Sequence, residues 1–388
     1  MNTERYRPKF HFTPKQNWIN DPNGLIWHDG KYHLYYQHNP FGTAWGHMSW
    51  GHATSDDLIH WVEHPVAIPE DSNANEAIFS GSAVFDEQGT AGAEGSIVAC
   101  YTSHVEQGES KKQYQSIAIS TDGGYTFEKQ GSVLDRNLRD FRDPKVFRYQ
   151  DHWLMVVVHP LDQEIEILRS DDLRNWESLS FFAYPMDEGV IWECPDLFQL
   201  ELNGDPHWVL IISVNPGGPK NGSGTLYFVG EFDGKTFTAS QPPQWLEFGR
   251  DNYAGVTFNQ EPNGERILIG WMNSWGKTPH PDLPWTGAMT IPRRLRLVSM
   301  QGSIWLAQEP VMAPQNKITL SATNNFTSVL PHGISVDYQP DTGTLSILGY
   351  EAHVGQQQEL VLEVLEDACS LEVFAMNGTR VFSFLVFD

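Results

Sequence analysis

The sequence lacks several features that define common classes of protein. Its three cysteines, Cys100, Cys194 and Cys369, lie far apart and form no CxxC pair, which argues against a disulfide framework and a cysteine zinc site. No run of 18 apolar residues is present, so the sequence predicts no membrane-spanning helix. The first residues also lack the apolar stretch of a signal peptide. We therefore expect a cytoplasmic protein, or a secreted one if a leader has been removed.

Positive charge is scarce as well. The chain has 25 Lys and Arg against 49 Asp and Glu, a formal net charge of -24 at pH 7. Nucleic acids and anionic membranes are bound by basic surfaces, so neither is expected as a partner. A strongly anionic substrate, such as a sugar phosphate, is also less expected for so acidic a chain.

Motifs that would hold a metal or a cofactor are missing too. No HExxH sequence occurs, and His47 and His52, five residues apart, would point to opposite sides of a strand. The Gly-rich strings at residues 215–218 and 221–224 lack the lysine and the helix of a phosphate-binding loop and are typical of a turn. The sequence therefore predicts no metal and no cofactor.

What the chain does contain is a repeated β-strand signal. Long helical periodicity is nearly absent, and short apolar runs alternate with turn residues. In five places a turn precedes a nearly continuous apolar run, at residues 32–37, 97–103, 153–158, 208–213 and 267–271. These turns recur every 53 to 65 residues, which suits one four-stranded blade per unit. We predict an all-β protein with a five-bladed β-propeller at residues 1–297, and a β-sandwich is the competing architecture.

A second repeat supports the propeller. A polar turn closed by an aromatic residue, as in SDDLIHW at 55–61 and SDDLRNW at 170–176, has weaker echoes at 121–127 and 232–237. Such turns are typical of hairpins between outer strands, and a sandwich would not explain two interleaved repeats. After residue 302 the pattern changes to short, partly alternating strands. Residues 303–388 are predicted to form a second, smaller antiparallel β module that packs beside the propeller.

Three carboxylates occupy similar positions in the repeat. Asp21, Asp143 and Glu193 precede the strands of the first, third and fourth units, within WINDPNG, FRDP and WECPD. Taken singly they could be a turn residue, an ion-pair partner and a buried acid. Taken together they predict a site at the propeller axis, and glycosidic cleavage requires two carboxyl groups across the scissile bond. Cys194 has no convincing histidine and acid beside it, which disfavours a cysteine nucleophile.

With these motifs the chain resembles glycoside hydrolase family 32, the group of invertases, exo-inulinases and levanases. The resemblance extends through YQHNP (36–40), WGHMSWGH (45–52), FSGS (79–82), YAGVT (253–257), GWM (270–272) and AMTIPR (288–293). It implies a five-bladed propeller followed by a β-sandwich. It also implies that Asp21 is the nucleophile, Asp143 the transition-state stabiliser and Glu193 the acid/base. The positions that shape a fructose pocket in such enzymes are matched by Asn20, Gln37, Trp45, Phe79, Ser80, Arg142, Trp271 and Trp285.

The resemblance implies a retaining hydrolase that releases terminal β-D-fructofuranosyl units from sucrose, fructo-oligosaccharides or fructans. Asp21 must then be ionised to attack, and donors around it are expected to lower its pKa. A fructosyltransferase with the same covalent intermediate is one alternative, although the intact Asn20, Asp21 and Asn23 favour water as acceptor. A non-catalytic fructan-binding protein is another, although it would be expected to lose one of the three acids.

The chain departs from the family in one respect. The segment after residue 302 is shorter than the family's sandwich domain, although its ending resembles that domain's final strands, so an internal deletion is expected. A small β layer has difficulty covering its edges and apolar faces. We therefore expect the shortened module to depend for stability on the propeller or on a second subunit of a homo-oligomer.

Overall fold

The computed structural model describes residues 3–108, 110–277, 280–321, 325–357 and 359–387. Strands dominate, and the helices in these ranges are short 3-10 turns at Thr3–Tyr6, Pro219–Asn221, Pro331–Gly333 and Met376–Gly378. Within these ranges, no helix has the length and apolar character needed to cross a membrane.

Five antiparallel sheets follow one another between residues 17 and 310. The first contains β1 (Asn17–His28), β2 (Lys31–Asn39), β3 (Ser49–Ser55) and β4 (Trp61–Ile68). The second contains β5 (Glu76–Asp86), β6 (Ser96–Gln107), β7 (Ser110–Ser120) and β8 (Glu128–Leu138), and the third β9 (Arg142–Tyr149), β10 (His152–His159), β11 (Glu164–Ser170) and β12 (Glu177–Ala183). The fourth contains β13 (Ile191–Leu202), β14 (Asp205–Asn215), β15 (Gly224–Phe232), β16 (Phe237–Ala239) and β17 (Gln244–Trp245).

The fifth sheet closes the ring. The last strands of this region are β18 (Tyr253–Thr257), β19 (Arg266–Met272), β20 (Trp285–Thr286), β21 (Ala288–Met289), β22 (Arg293–Met300) and β23 (Ser303–Pro310). All of these except β20 form the fifth sheet, whereas β20 pairs in parallel with β1. The innermost strands β1, β5, β9, β13 and β18 each contact the next one, and β18 contacts β1. This closed ring is a five-bladed propeller, and the predicted fold is confirmed.

The first sequence repeat has a place in all five blades and the second in four of them. The apolar runs are the second strands, β2, β6, β10, β14 and β19, and β10 is buried along its whole length because other blades cover both of its faces. The polar turns join the two outer strands. In the third blade Oδ1 of Asp172 accepts the backbone N–H groups of Arg174 and Asn175, and Asp57, Asp122 and Asp233 accept equivalent bonds in three other blades.

The predicted domain boundary at residues 297–303 is wrong. Strands β22 and β23 pair from Arg293↔Pro310 to Met300↔Ser303, so residues up to Pro310 complete the fifth blade. The change in pattern after residue 302 has a different cause. It marks the outermost strand of a blade, which begins half-exposed and therefore loses the continuous apolar run of an inner strand.

The C-terminal module consists of two sheets. One has the order β24 (Asn316–Ser321), β29 (Glu359–Asp367), β30 (Ser370–Ala375), β31 (Arg380–Leu385). The other has the order β25 (Phe326–Val329), β26 (Ser335–Gln339), β27 (Thr344–Ile347), β28 (Tyr350–His353). Alternate residues of both sheets, such as Leu362 and Val373 of one and Val336 and Leu345 of the other, form a common buried core. The module is therefore an antiparallel sandwich, as predicted.

A buried charge network joins the sandwich to the propeller. The guanidinium of Arg293, on β22, donates to Glu247 and Gln308 of the propeller and to Glu372 and Ser383 of the sandwich. Burial opposes ionisation of Glu372, but the charge of Arg293 and a hydrogen bond with His11 outweigh it and lower the pKa of this carboxyl. Removing one member would leave other charges buried and unpaired, so the network fixes the module in place.

Candidate active site

A β-bulge interrupts the innermost strand of every blade at an equivalent position. In each strand two residues face a single residue of the neighbouring strand. These pairs are Asn20-Asp21, Phe79-Ser80, Asp143-Pro144, Cys194-Pro195 and Ala254-Gly255. A bulge bends the strand and redirects its side chains, and bulges are frequent beside active sites. The candidate residues of the sequence motifs therefore point into one space at the end of the propeller axis.

This space is a cavity of about 410 Å³. Nine residues predicted from the sequence line it: Asn20, Asp21, Gln37, Trp45, Phe79, Ser80, Arg142, Asp143 and Glu193. The lining also contains His104, Glu106, Lys111, Gln113, Arg139, Asp140, Ile191, Asn215 and Trp275, which the sequence motifs did not indicate.

Asp21 lies on the first bulge and is held by donors on two blades. Its Oδ2 accepts a hydrogen bond of 2.7 Å from Oγ of Ser80. The side chain of Asn20 is oriented because its Oδ1 accepts from Nε1 of Trp18, and its amide also favours the ionised Asp21. Burial and the charge of Glu193 nevertheless outweigh these donors and raise the pKa of Asp21. The expectation of a lowered pKa is therefore wrong, because desolvation is the larger effect.

Asp143 lies on the third bulge, in a backbone conformation with φ of 63°. Its N–H donates to Oγ1 of Thr102, and its Oδ2 accepts a 2.9 Å bond from the backbone N–H of Cys194. The thiol of Cys194 lies 3.6 Å from Oδ2 of both Asp143 and Asp21. Burial raises the pKa of Asp143; the charge of Arg142 opposes this shift, while Glu193 and Asp21 add to it.

Glu193, on β13, faces one cation and one phenol. Nε of Arg142 donates to its Oε1 at 3.2 Å, and the hydroxyl of Tyr253 donates to its Oε2. Burial lowers the pKa of Arg142, but the charges of Glu193 and Asp143 outweigh this and raise it, so the guanidinium stays charged. Asp143 and Glu193 thus both face the guanidinium of Arg142, and Asp21 lines the same cavity.

Aromatic rings form one wall of the cavity. Trp45 lies in the loop between β2 and β3 and is 51% exposed, and its ring meets the edge of Phe79 at 6.0 Å. On its other side Phe79 stacks on the ring of His104, with 4.5 Å between centroids and planes 2° apart. Gln37 is buried at the base, where its amide donates to the carbonyl of Ile78. Apolar faces beside carboxylates suit the mixed surface of a sugar ring.

Two predicted site residues do not line the cavity. Trp271 is fully buried on β19, behind the wall, where it packs against Trp18 and Trp275. Trp285, on β20, packs in a separate cluster against Phe387 near the sandwich. Trp275, three residues after β19, lines the cavity in addition to Trp45. Trp271 supports the wall, whereas Trp285 contributes to closure of the propeller through pairing of β20 with β1.

Four of the nine residues missed by sequence reasoning come from one hairpin, formed by β6 and β7. Strands β6 and β7 pair without interruption from Ile97↔Ser120 to Gln107↔Ser110. The first residue of β5 pairs with Val105, so the β6–β7 hairpin extends two residue pairs beyond β5. This extension carries Glu106 and Lys111 to the rim of the cavity. The polar stretch at residues 106–113 was the available signal, but polar residues at a hairpin tip are equally typical of a solvated turn.

One group of side chains among the described residues has metal-ligand spacing. The ligand atoms of His159, Asp162 and Glu164 lie within 4.8 Å of one another. Nε2 of His159 is bonded to Glu166, and none of the three side chains lines the cavity. The group therefore takes no part in the arrangement of carboxylates described above.

Comparison with known proteins gives the family. The model of the glycosyl hydrolases family 32 N-terminal domain matches residues 11–310, and this chain belongs to that family. The chain is 37% identical over 385 residues to the levanase of Bacillus subtilis (strain 168), covering 92% of this chain and 56% of the levanase. It is 40% identical over 346 residues to the extracellular exo-inulinase inuE of Aspergillus niger, covering 79% of this chain and 64% of the inulinase.

A solved structure is also similar to this chain. The fructofuranosidase from Schwanniomyces occidentalis in complex with fructose matches with a TM-score of 0.88 at 29% identity, covering 100% of this chain and 93% of that one. The family resemblance of the sequence motifs is thus confirmed. The chain spans less than two thirds of the length of the levanase and the inulinase.

Proposed function

We propose that this chain is a retaining glycoside hydrolase that releases terminal β-D-fructofuranosyl units from sucrose and short fructans. The observation that carries the proposal is the convergence of Asp21, Asp143 and Glu193, from three different blades, on one cavity that also contains Arg142. Cleavage of a glycosidic bond requires two of these acids, and the third can hold sugar hydroxyls.

The first step is attack by the carboxylate of Asp21 on the anomeric carbon. Glu193 donates its proton to the oxygen of the breaking bond, so that the leaving sugar departs as an alcohol and the fructosyl unit stays on Asp21. In the second step Glu193 removes a proton from water, which attacks the anomeric carbon and releases Asp21. Glu193 is suited to both steps because it lines the cavity and is partly exposed there, and its Oε2 is oriented by a hydrogen bond from the hydroxyl of Tyr253.

Asp143 and Arg142 have a different role in this scheme. Positive charge develops on the sugar in the transition state, and a carboxylate fixed nearby stabilises it. The backbone bond from Cys194 and the charge of Arg142 hold Asp143 in place for that purpose. Arg142 also offers charge-assisted hydrogen bonds to sugar hydroxyls. Burial raises the pKa of both Asp21 and Asp143, and the charge of Glu193 adds to each shift.

The names of the relatives support the same substrates. A levanase, an exo-inulinase and a fructofuranosidase in complex with fructose are all similar to this chain. A cavity reached from one end of the propeller axis accepts chain ends in preference to internal bonds. We therefore assign to this chain the removal of one fructose at a time.

The proposal is tested by incubating the protein with sucrose, inulin and levan and separating the products by chromatography. Fructose is the expected product, and Asp21→Asn and Glu193→Gln should each lower turnover by several orders of magnitude while the fold survives. Asp56→Asn, which changes an exposed carboxylate paired with Lys31 on an outer turn, is the matched control. Near-normal hydrolysis by either active-site variant, at equal folded concentration, would reject the assignment.

A further inference from the structure

His104 occupies a position between the aromatic wall and the catalytic charges. It lies on β6, three residues before the end of the strand, and its ring stacks flat on Phe79. No sequence motif includes it, and the proposed mechanism does not use it. Its two ring nitrogens are nevertheless both engaged, by Glu106 at 3.1 Å and by Gln113 at 3.2 Å.

The bond with Gln113 fixes the tautomer of His104. Oε1 of Gln113 accepts from the backbone N–H of Phe141 at 2.9 Å, so its amide nitrogen must point to His104. Nδ1 of His104 is then the acceptor, and the ring hydrogen lies on Nε2, facing Glu106. The ring therefore has one defined orientation.

The same amide extends the connection to the acid/base. Oε1 of Gln113 also accepts from Nη1 of Arg142 at 3.3 Å, and Nε of Arg142 donates to Glu193 at 3.2 Å. An uninterrupted series of hydrogen bonds thus runs from His104 through Gln113 and Arg142 to Glu193. Asp140 is a further partner of Arg142 and accepts from the same Nη1 at 3.1 Å, so Gln113 and Asp140 together hold that end of the guanidinium.

We propose that His104 is a positioning residue with two separable effects. Through Gln113 it orients Arg142 against Glu193, which affects the chemical step. Through its ring it holds Phe79, and with it the apolar wall that meets the substrate. The effect on turnover rests on the proposed function, whereas the effect on the position of Arg142 can be observed without any reaction.

Two variants separate the effects. His104→Phe keeps a ring on Phe79 but removes the acceptor for Gln113; we expect kcat to fall roughly ten-fold while KM changes little, because the acid/base is misplaced. His104→Asn places Oδ1 where Nδ1 lies and keeps the bond to Gln113, but it loses the ring. For this variant we expect kcat to stay near the wild-type value and KM to rise several-fold.

A purely structural role would not produce this division. Gln113→Leu should lower kcat as His104→Phe does, and the double variant should lose little more, since both changes break the same connection. His207→Phe is the matched control, because His207 is also a partly exposed strand histidine beside a glutamate, Glu231 at 3.8 Å. Equal effects of His104→Phe and His104→Asn on both kinetic constants would overturn the proposal.

Crystal structures of the two variants decide the matter independently of activity. Nε of Arg142 should move away from Glu193 in His104→Phe and keep its place in His104→Asn. An unmoved Arg142 in His104→Phe would overturn the proposal. A wild-type protein inactive on sucrose, inulin and levan would instead reject the proposed function, and the position of Arg142 in the two structures would still test the role of His104.

Discussion

At the scale of single residues, the charge of Asp21 is set by opposing contacts. Burial and Glu193 raise its pKa, while the hydroxyl of Ser80 and the amide of Asn20 lower it. A nucleophile must be ionised, so its activity is lost as the pH falls through its pKa. If a hydrogen-bond donor is removed, the pKa of Asp21 rises further, and activity is then lost at a higher pH.

Ser80→Ala should therefore shift the acidic limb of kcat/KM to higher pH. A hydrogen bond to a charged group is worth enough to shift this limb by about one pH unit. The pH dependence of kcat/KM on sucrose measures the effect, because it reports the pKa values of the free enzyme. Ser80→Thr keeps a hydroxyl and should behave as the wild type. A limb that does not move in Ser80→Ala would show that Ser80 does not set the charge of Asp21.

Residues within dense motifs could be predicted, and residues outside them could not. Asp21, Asp143 and Glu193 each lie in a Pro-containing string at an equivalent point of the repeat, and all three line the cavity. Trp275 and Gln113 reach it from a connecting loop and from a second hairpin strand, where the local sequence resembles that of any surface. Their side chains enter the site through tertiary packing that one sequence does not disclose.

At the scale of elements, the Asp-containing turns give four of the five blades their outer hairpin. The carboxylate of Asp172 accepts the N–H groups of Arg174 and Asn175, and a bond from the side chain of Asn175. Burial opposes ionisation of Asp172, but these bonds outweigh it and lower its pKa to about 2. The same contacts in other blades account for the second sequence repeat.

Asp172→Ala should destabilise the protein by about 1–2 kcal/mol, since a side-chain acceptor for backbone N–H groups is lost. Chemical denaturation followed by tryptophan fluorescence measures the change. Asp171→Ala is the control: Asp171 is exposed and pairs with Arg169, and a surface pair contributes little. Equal destabilisation by the two substitutions would contradict the role of the turn.

The bulges show what the local sequence could not reveal. NDPNG, at residues 20–24, is a strong turn sequence, yet it lies inside β1. The proline and glycine that favour a turn are tolerated because β1 contains two bulges, where ladder pairing is interrupted. The NDPNG string correctly indicated an irregular backbone. That this irregularity is a bulge within a strand, and not a turn, follows from the packing of five strands around an axis.

At the scale of the whole molecule, the sandwich has its own core but shares its buried charges. Glu372 requires Arg293 of the propeller, and Asp367 accepts from the backbone of Lys9 and Phe10 and from the ring of His11. Burial alone would lower the pKa of His11, but its bonds to Asp367 and Glu372 raise it to about 9. The N-terminal segment and the propeller thus neutralise acids that the sandwich cannot pair.

Residues 311–388 expressed alone should therefore be unfolded or aggregated. Glu372 and Asp367 would face solvent at an apolar surface that the propeller covers in the full chain. Circular dichroism and thermal melting of the fragment, with the full chain as reference, measure the outcome. A soluble fragment with a cooperative transition would show that the sandwich is an independent domain.

The sequence repeats predicted the propeller, but not the residue at which it ends. Period and turn chemistry define blades with buried inner strands, whereas an outermost strand such as β23 begins half-exposed and reads like the start of another domain. In the sandwich, β25 and β28 have four residues each, and so short a segment carries little periodic signal.

The central claim is that Asp21 attacks the sugar directly while Glu193 protonates the leaving group. The two carboxyl groups would then lie about 5–5.5 Å apart, and two displacements would retain the configuration of the anomeric carbon. Time-resolved NMR during the first turnovers of sucrose tests this claim most directly, before the released fructose mutarotates. The account predicts β-D-fructofuranose as the first anomer. An initial α-fructofuranose signal would contradict it.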